Sequence, residues 1–459
     1  MHKPQFDGTP STEKYRAYLA LLLRDTFIGR AENLPLARAT NRILAQDVLA
    51  RLDVPSFDNS QMDGYALTAE GASRENRIFT VGREIPAGRP LQRSRASDDL
   101  TYPIMTGAPI PKGYVAVVPV EHSERIEYPD LPESFGRPSE KIRLPQAPEG
   151  QFIRRRGEDV VAGQIMARSG ERVTPALLGT LAAQGYTRVT VACGPRVLVC
   201  TGGDEIRPTL TEDGDDTATD LAYGQIYDAN GPMLTSMLVE DGAVVRRISI
   251  GDDPELLIEH LREEYETFAP DIIITSGGIS HGKYEVVRNA IAMAPSLGLP
   301  IPLSWFGHVS QQPGGPQGVN VLDFNGHRLP MISFPGNPVS TLISYVLMLR
   351  PYLRAGGPYG TPHEVASRMA TLENAPRGVL VIDKPLTAPA NKRQFLRGNL
   401  AMVESEPGTY RVELYPDVLP GSHLLHHAAT ADVLIELAPG TTYTGGEAVR
   451  YHRIRLTDN

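Results

Sequence analysis

Three short loops of this 459-residue chain combine glycine with polar residues in a way that suits an anion. They are Thr201-Gly-Gly-Asp-Glu205, Ser276-Gly-Gly-Ile-Ser280-His-Gly282 and Pro335-Gly-Asn-Pro-Val-Ser340. Glycine lets backbone N–H groups turn toward a negatively charged guest, and a helix starting after the loop adds partial positive charge. Tight-turn geometry accounts for any one Gly-Gly loop by itself, so the signal lies in the recurrence. A second set is acidic: Asp63, Asp159, Glu205 and Asp252 each occupy a stretch bearing glycine or proline. Grouped oxygen ligands suit a hard cation such as Mg²⁺, which bridges phosphates and stabilises charge on a leaving group. The plain alternative is a solvated or helix-capping carboxylate. It competes at Asp252, because the neighbouring Asp253-Pro254 makes a good helix start. It is weaker at Asp63, since Phe57 and Met62 flank a polar, turn-prone stretch. The run Arg154-Arg155-Arg156 reads equally well as a ligand-binding patch or as a solvated one.

These loops need elements to hold them. Short apolar runs at 195–200, 243–250, 271–275 and 330–334 read as strands. Between them lie helical stretches opening at Asn230, at Asp253-Pro254, through Val286, Val287 and Ala290, and at Asn337-Pro338. Alternating strands and helices predict a doubly wound parallel α/β sheet, which binds ligands at the carboxyl ends of its strands. All three glycine loops fall at such ends. Elsewhere, residues 11–50 read as helical, with Tyr18, Leu19, Leu22 and Leu23 on one face. Residues 52–150, rich in proline and glycine, read as a β-rich insert. A helix from Pro175 to Gln184 is expected after it, capped by Thr174 and ended by Gly185. Strand candidates at 378–382 and 432–437 predict a small β domain at the C-terminal end. The expected division is 11–55 with 151–190 (helical and mixed), 56–150 (β-rich), 191–357 (α/β) and 358–459 (β). The acidic segment 209–220 receives no role.

Length alone calls for about three or four domains. A hydrophobic fraction of 41% and a charged fraction of 22% are ordinary for a globular protein. A net charge of −9 argues against an electrostatic nucleic-acid binder, though a local basic pocket is compatible with it. The two cysteines, Cys193 and Cys200, match no zinc or redox spacing and read as buried thiols. With no signal pattern and no bilayer-length apolar run, a soluble cytoplasmic protein without membrane partners is expected.

Taken together, the motifs resemble the molybdopterin molybdenumtransferase family, which includes the gephyrin E-domain. The matching segments are Pro55-Ser-Phe-Asp-Asn-Ser-Gln-Met-Asp-Gly-Tyr65, Met105-Thr-Gly-Ala-Pro109, Arg154-Arg-Arg-Gly-Glu-Asp159, Gly202-Gly-Asp-Glu205, Gly224-Gln-Ile-Tyr-Asp228, Ser276-Gly-Gly-Ile-Ser280 and Pro335-Gly-Asn-Pro-Val-Ser340. They occur in the family's order from residue 11 to the C-terminal domain. The resemblance implies an elongated helical unit, a β-rich insert, a pterin-binding α/β domain and a C-terminal β domain. It implies a homodimer whose site lies between the α/β domain of one subunit and the N-terminal domains of the other. The implied reaction takes adenylylated molybdopterin and molybdate, with Mg²⁺, places molybdenum on the dithiolene and releases AMP. By motif position Asp63, Thr106, Asp159 and Glu205 match the catalytic cleft, with Asp63 and Glu205 as metal ligands. Arg154, Asp252, Ser276, Gly277, Gly278, Ser280, Glu285, Arg288, Pro335, Gly336, Asn337, Pro338, Ser340 and Arg397 match substrate-holding positions. Other enzymes of cofactor synthesis are expected as partners.

The chain departs from the family in places. Glu285 and Arg288 stand where relatives often carry aspartate and lysine; charge is kept, but reach and geometry change. In Gln311-Gln-Pro-Gly-Gly-Pro316, Gln312 and Gly315 replace two lysines of the common Lys-Pro-Gly-Lys-Pro. Either Arg154, Arg155, Arg156 or Arg397 compensates, or the oxyanion binds more weakly. His281 replaces an apolar residue and reads as a ligand contact or as an exposed loop histidine. The lost lysines leave one rival to the enzyme, a non-catalytic molybdopterin-binding or delivery paralogue; the gephyrin resemblance suggests a weaker one, a scaffold, though no segment of the chain reads as receptor-binding.

Overall fold

The computed structural model describes residues 6, 8–26, 30–89, 96–126, 140–208, 221–279, 285–354, 375–403, 408–414 and 421–455. Ser280, His281 and the acidic 209–220 segment lie outside them.

At the centre stands the strand Arg196–Gly202, with Val244–Ile250 on one side and Ile272–Ser276 on the other, both parallel to it. His327–Phe334 follows, parallel to Ile272–Ser276. Alternation along the central strand feeds two cores. Val197 and Val199 pack with helices Thr12–Thr26, Asn230–Glu240 and Pro338–Ser344. Leu198 and Cys200 pack with helices Pro254–Thr267 and Val286–Met293 on the opposite face. Helices on both faces make the sheet doubly wound. Asp253 caps its helix as the sequence predicts, with Oδ1 accepting from the Glu255 and Leu256 amides at 2.9 and 3.3 Å.

The sheet is mixed, not wholly parallel. Pro316–Phe324 and Leu303–His308 add antiparallel strands beyond His327–Phe334. The cause is a hairpin at Asn325-Gly326, both at positive φ (54° and 90°), the signature of a two-residue turn matched to strand twist.

The chain leaves the central strand toward Val244–Ile250, then crosses back to Ile272–Ser276 on the other side, so the switch point lies at Gly202. Register sets Gly202 beside Ile250, Thr201 beside Ser276, and Ser276 beside Phe334. The loops at 202–205, 251–253, 276–279 and 335–337 therefore leave one edge together.

The expected helix over 11–50 is shorter. Among the described residues of that stretch only Thr12–Thr26 is α-helical, with a single 3-10 turn at Leu36–Arg38; Ala31–Pro35 pairs with Arg188–Ala192, and Val48–Leu49 pairs with Ile165–Ala167. Pro35 cannot continue a helix, and Asn41 turns the chain at φ 64°. The predicted face holds for Leu19, Leu22 and Leu23, and Tyr15 is fully buried beside them. That face packs on the α/β core, where the Tyr15 hydroxyl donates to the Gly318 carbonyl at 3.3 Å. The 31–49 and 165–191 segments build a separate core around Leu44, Val173 and Leu181. Helix Pro175–Ala183 is capped by Thr174 as expected, with Gly185 at φ 72° behind it.

Six strands of the 56–150 stretch form one sheet, and six more form the C-terminal sheet. Gln311–Gln312 runs parallel to Arg393–Met402 and ties that domain to the α/β unit. Among the described residues no helix is long and apolar enough to cross a membrane.

Candidate functional site

The acidic block at 55–65 and the threonine block at 105–109 meet directly. Asn59–Ser60 pairs with Ile153–Arg154, and Ser60 exchanges backbone bonds with Gly107 and Ala108 at 2.8 and 3.0 Å. This clamp brings Thr106 onto Asp63. The Thr106 amide and hydroxyl both donate to Asp63 Oδ1, at 2.6 and 2.8 Å. Those two bonds, the amide first, hold the Asp63 carboxyl below its ordinary pKa. Both side chains are exposed, as are Arg154 and Asp159 nearby.

The arginine run divides. Arg155 pairs with Asp58 at 2.9 Å, and Arg156 pairs with Asp53. Asp58 also takes the Arg156 amide, and Asp53 takes the Ala162 amide, so these arginines brace a turn. Both guanidinium groups are thus engaged within the chain. Arg154 makes no ion pair among the described residues and remains exposed.

On the sheet edge, the second and third glycine loops touch. Gly277 has φ 96° and its amide donates to the Phe334 carbonyl at 3.0 Å. A Cβ at Gly336 would lie 3.3 Å from Gly277 Cα, a backbone approach that glycine permits. Ser276 is buried, and its Oγ lies 3.2 Å from the Pro335 carbonyl and 3.1 Å from Thr341 Oγ1. Gly336 and Asn337 are exposed, Pro338 and Glu285 half-buried. Asn337 precedes helix Pro338–Ser344 without capping it through its side chain. One amide at that helix head is already taken, because Val339 N–H donates to the Ser422 carbonyl at 3.1 Å. Ser340 is buried under the head of the helix. Gly278 has φ 66°, and its carbonyl accepts from the Arg288 amide; the Arg288 guanidinium lies 5.6 Å from the Phe306 ring centroid.

The first loop lies across the switch point. A Cβ at Gly203 would come 2.5 Å from Glu205 Oε2, so the exposed Glu205 carboxylate folds back over that glycine. Asp204 Oδ1 accepts from the Asp252 amide at 3.4 Å, bringing the 251–253 loop alongside. Asp252 itself is exposed.

The lysine-less loop and the C-terminal domain close the third side. A Cβ at Gly314 would lie 3.1 Å from Ser344 Oγ and 3.3 Å from the Ser340 carbonyl, so the 311–316 loop packs along helix Pro338–Ser344. Arg397, on the strand that pairs with Gln312, is buried and donates to the Gly421 and Leu424 carbonyls at 3.2 and 3.4 Å. Those carbonyls flank Ser422, the residue bonded to the helix head.

Two residues that the sequence reading passed over prove central. Asp228 is buried, accepting from the Thr201 hydroxyl at 2.6 Å and the Gly231 amide at 2.9 Å. Asn230 reaches both Ser276 and Gly336. A polar residue at a helix start reads as a cap; only the fold shows that Asp228 does the capping and frees Asn230.

Within one chain, among the described residues, no hydrogen bond or ion pair joins Asp63, Thr106, Arg154 or Asp159 to the sheet-edge loops. No group of three or more His, Cys, Asp or Glu in reach of one metal ion occurs among them either.

Comparison with known proteins fits this architecture. Residues 12–185 match the MoeA N-terminal region (domain I and II), 198–355 a probable molybdopterin binding domain, and 380–454 the MoeA C-terminal region (domain IV). The chain is 36% identical to molybdopterin molybdenumtransferase 2 of Mycobacterium tuberculosis, over 93% of its own length and 95% of that protein. The chain belongs to the molybdopterin molybdenumtransferase family. It is also 31% identical to the molybdopterin molybdenumtransferase of Synechococcus elongatus, over 74% of its own length and 80% of that enzyme. A crystal structure of the molybdopterin biosynthesis MoeA protein from Pyrococcus horikoshii superposes with a TM-score of 0.67 at 24% identity, covering 97% of this chain and 99% of that one. That likeness establishes the multidomain fold.

Proposed function

We propose that this chain takes part in molybdenum-cofactor synthesis by inserting molybdenum from molybdate into adenylylated molybdopterin and releasing AMP. The observation that carries the reading is the contact between the Gly277 and Gly336 loops at the switch-point edge. Apart from the Gly277 amide, which donates to Phe334, the two turns meeting there would offer backbone donors to a phosphate-bearing guest. Helix Pro338–Ser344 contributes less than its sequence suggests, since Pro338 lacks an N–H and Val339 donates within the chain.

The carboxylates fit a cation that arrives with the substrate. Mg²⁺ is commonly held by one or two carboxylates together with substrate phosphates, so a preformed cluster of three ligands is not required. Asp63 and Glu205 would hold it, and when bound it would neutralise charge at the pyrophosphate link. Asp63 suits that task because the two Thr106 donors lower its pKa and favour the ionised form. Thr106 fixes its orientation, and Arg154 and Asp159 are exposed in the segment whose strand Ile153–Arg154 pairs with Asn59–Ser60. Arg397 holds the 421–424 segment against the helix head beside the cradle.

A homodimer completes the site in this reading. Asp63 and Thr106 face solvent, and Leu49, Leu52, Phe57, Val161 and Ile165 are exposed on the same N-terminal part of the chain. Leu49 and Ile165 are direct cross-strand partners. Grouped exposed apolar side chains of this kind mark a contact surface. A second copy seated there would carry its α/β edge toward Asp63.

Purified protein given Mg²⁺, molybdate and adenylylated molybdopterin is expected to release AMP in step with active cofactor. Tight pterin binding without AMP release would replace the enzyme with a delivery protein, the reading favoured by Gln312 and Gly315 standing where relatives carry lysines.

A further inference from the structure

Helix Asn230–Glu240 begins with a side chain that does not cap it. The Asn230 amide nitrogen directs one hydrogen to the Ser276 hydroxyl at 2.9 Å and the other to the Gly336 carbonyl at 2.6 Å. It thus touches both glycine loops, which come from different crossovers of the sheet. The first turn of its own helix is served by Asp228.

The protons in this network have a direction. Since Asn230 donates to the Ser276 oxygen, the Ser276 proton is shared between the Pro335 carbonyl at 3.2 Å and Thr341 Oγ1 at 3.1 Å. The Thr341 proton then goes to the Pro335 carbonyl at 2.6 Å. Asn230, Ser276, Thr341 and Pro335 form one network whose protons run toward the Pro335 carbonyl, and hydrogen bonds so arranged polarise one another. Asn230 Oδ1 is buried with no partner. An unsatisfied buried acceptor is disfavoured, so the donors on the same amide hold it in place.

We propose that Asn230 is a positioning residue that clamps the 276–278 and 335–337 loops into one anion cradle. The phosphate-bearing end of the pterin substrate then meets loops already in place. This deepens the functional reading above and rests on it.

Asn230→Asp keeps the shape and removes both donors. The carboxylate offers nothing to the Gly336 carbonyl and draws the Ser276 proton away from Thr341. KM for adenylylated molybdopterin is expected to rise roughly tenfold with kcat held within about twofold, the pattern of lost ground-state binding. Ser276→Ala alone should raise KM roughly threefold, and the double variant should be no worse than Asn230→Asp, because both act on one network. An unchanged KM for Asn230→Asp, or effects that multiply in the double variant, overturns the proposal. If Asn230→Asp melts below the assay temperature, Thr341→Val is read in its place, with roughly a threefold rise expected; no rise overturns the proposal. Turnover by the unaltered protein tests the functional reading separately. Without turnover, calorimetric titration with inorganic pyrophosphate still reads the cradle. Roughly tenfold weaker binding by Asn230→Asp supports the clamp. Equal binding, or none by the unaltered protein, overturns it.

Discussion

Thr106 supports Asp63 through its backbone and its side chain, and the two supports can be separated. Thr106→Val keeps shape and amide but removes the hydroxyl donor to Oδ1. The Asp63 pKa, lowered in the folded chain by these donors, should then move back up toward the ordinary carboxylate value. An ionised Asp63 is required in the proposed reaction, so the acidic limb of kcat/KM should shift to higher pH, with the neutral plateau less affected. An acidic limb that stays where it is would remove Asp63 from the reaction. At this scale the sequence showed which residue types matter and missed how they are paired. The run Arg154-Arg155-Arg156 read evenly between ligand and solvent. The fold divides it, because Asp53 and Asp58 lie far back in the chain and fold onto Arg156 and Arg155.

Loops and strands set the positions that side chains then use. Glu205 rests over Gly203 so closely that any β-carbon there must push it aside. Gly203 also holds φ 140°, so Gly203→Ala strains the loop as well as displacing the carboxylate, and it is expected to lower turnover roughly 10- to 100-fold, the scale of loss that small misplacements cause. Normal turnover in that variant would show that Glu205 has no fixed part in the chemistry. The strands ending in these loops were legible because buried parallel strands appear as apolar runs between helices. The antiparallel edge was not, although Asn325-Gly326 carried its turn signal. The 11–50 region was overread as helix. The apolar face from Tyr18 to Leu23 does not continue past Pro35, where short strands pair with partners more than a hundred residues away.

Across the whole molecule, the C-terminal domain meets the head of helix Pro338–Ser344 at Ser422, and the 311–316 loop packs along the same helix at Ser340 and Ser344. Arg393 bridges Glu13 at 2.7 Å and also pairs with Glu436, tying the N-terminal helix to the C-terminal sheet. Restoring charge to the neighbouring loop is sterically permitted at one position. A β-carbon at Gly315 would lie at least 3.5 Å from Gln311 O, His308 Cδ2 and Val309 O. The double variant Gln312→Lys, Gly315→Lys should lower KM for molybdate roughly three- to tenfold, less so at high salt. An unchanged KM would mean that this loop does not face the oxyanion. Subunit arrangement is the largest feature that single-chain reading leaves to inference, because Asp63 and the Gly277–Gly336 cradle belong to different domains. The most direct measurement is complementation between Asp63→Ala and Glu205→Ala, each expected to be inactive alone. Co-expressed in equal amounts, they should regain about a quarter of wild-type AMP release, since about half of randomly assorted two-fold dimers carry one intact site. Activity no higher than that of either parent would contradict a site shared between subunits.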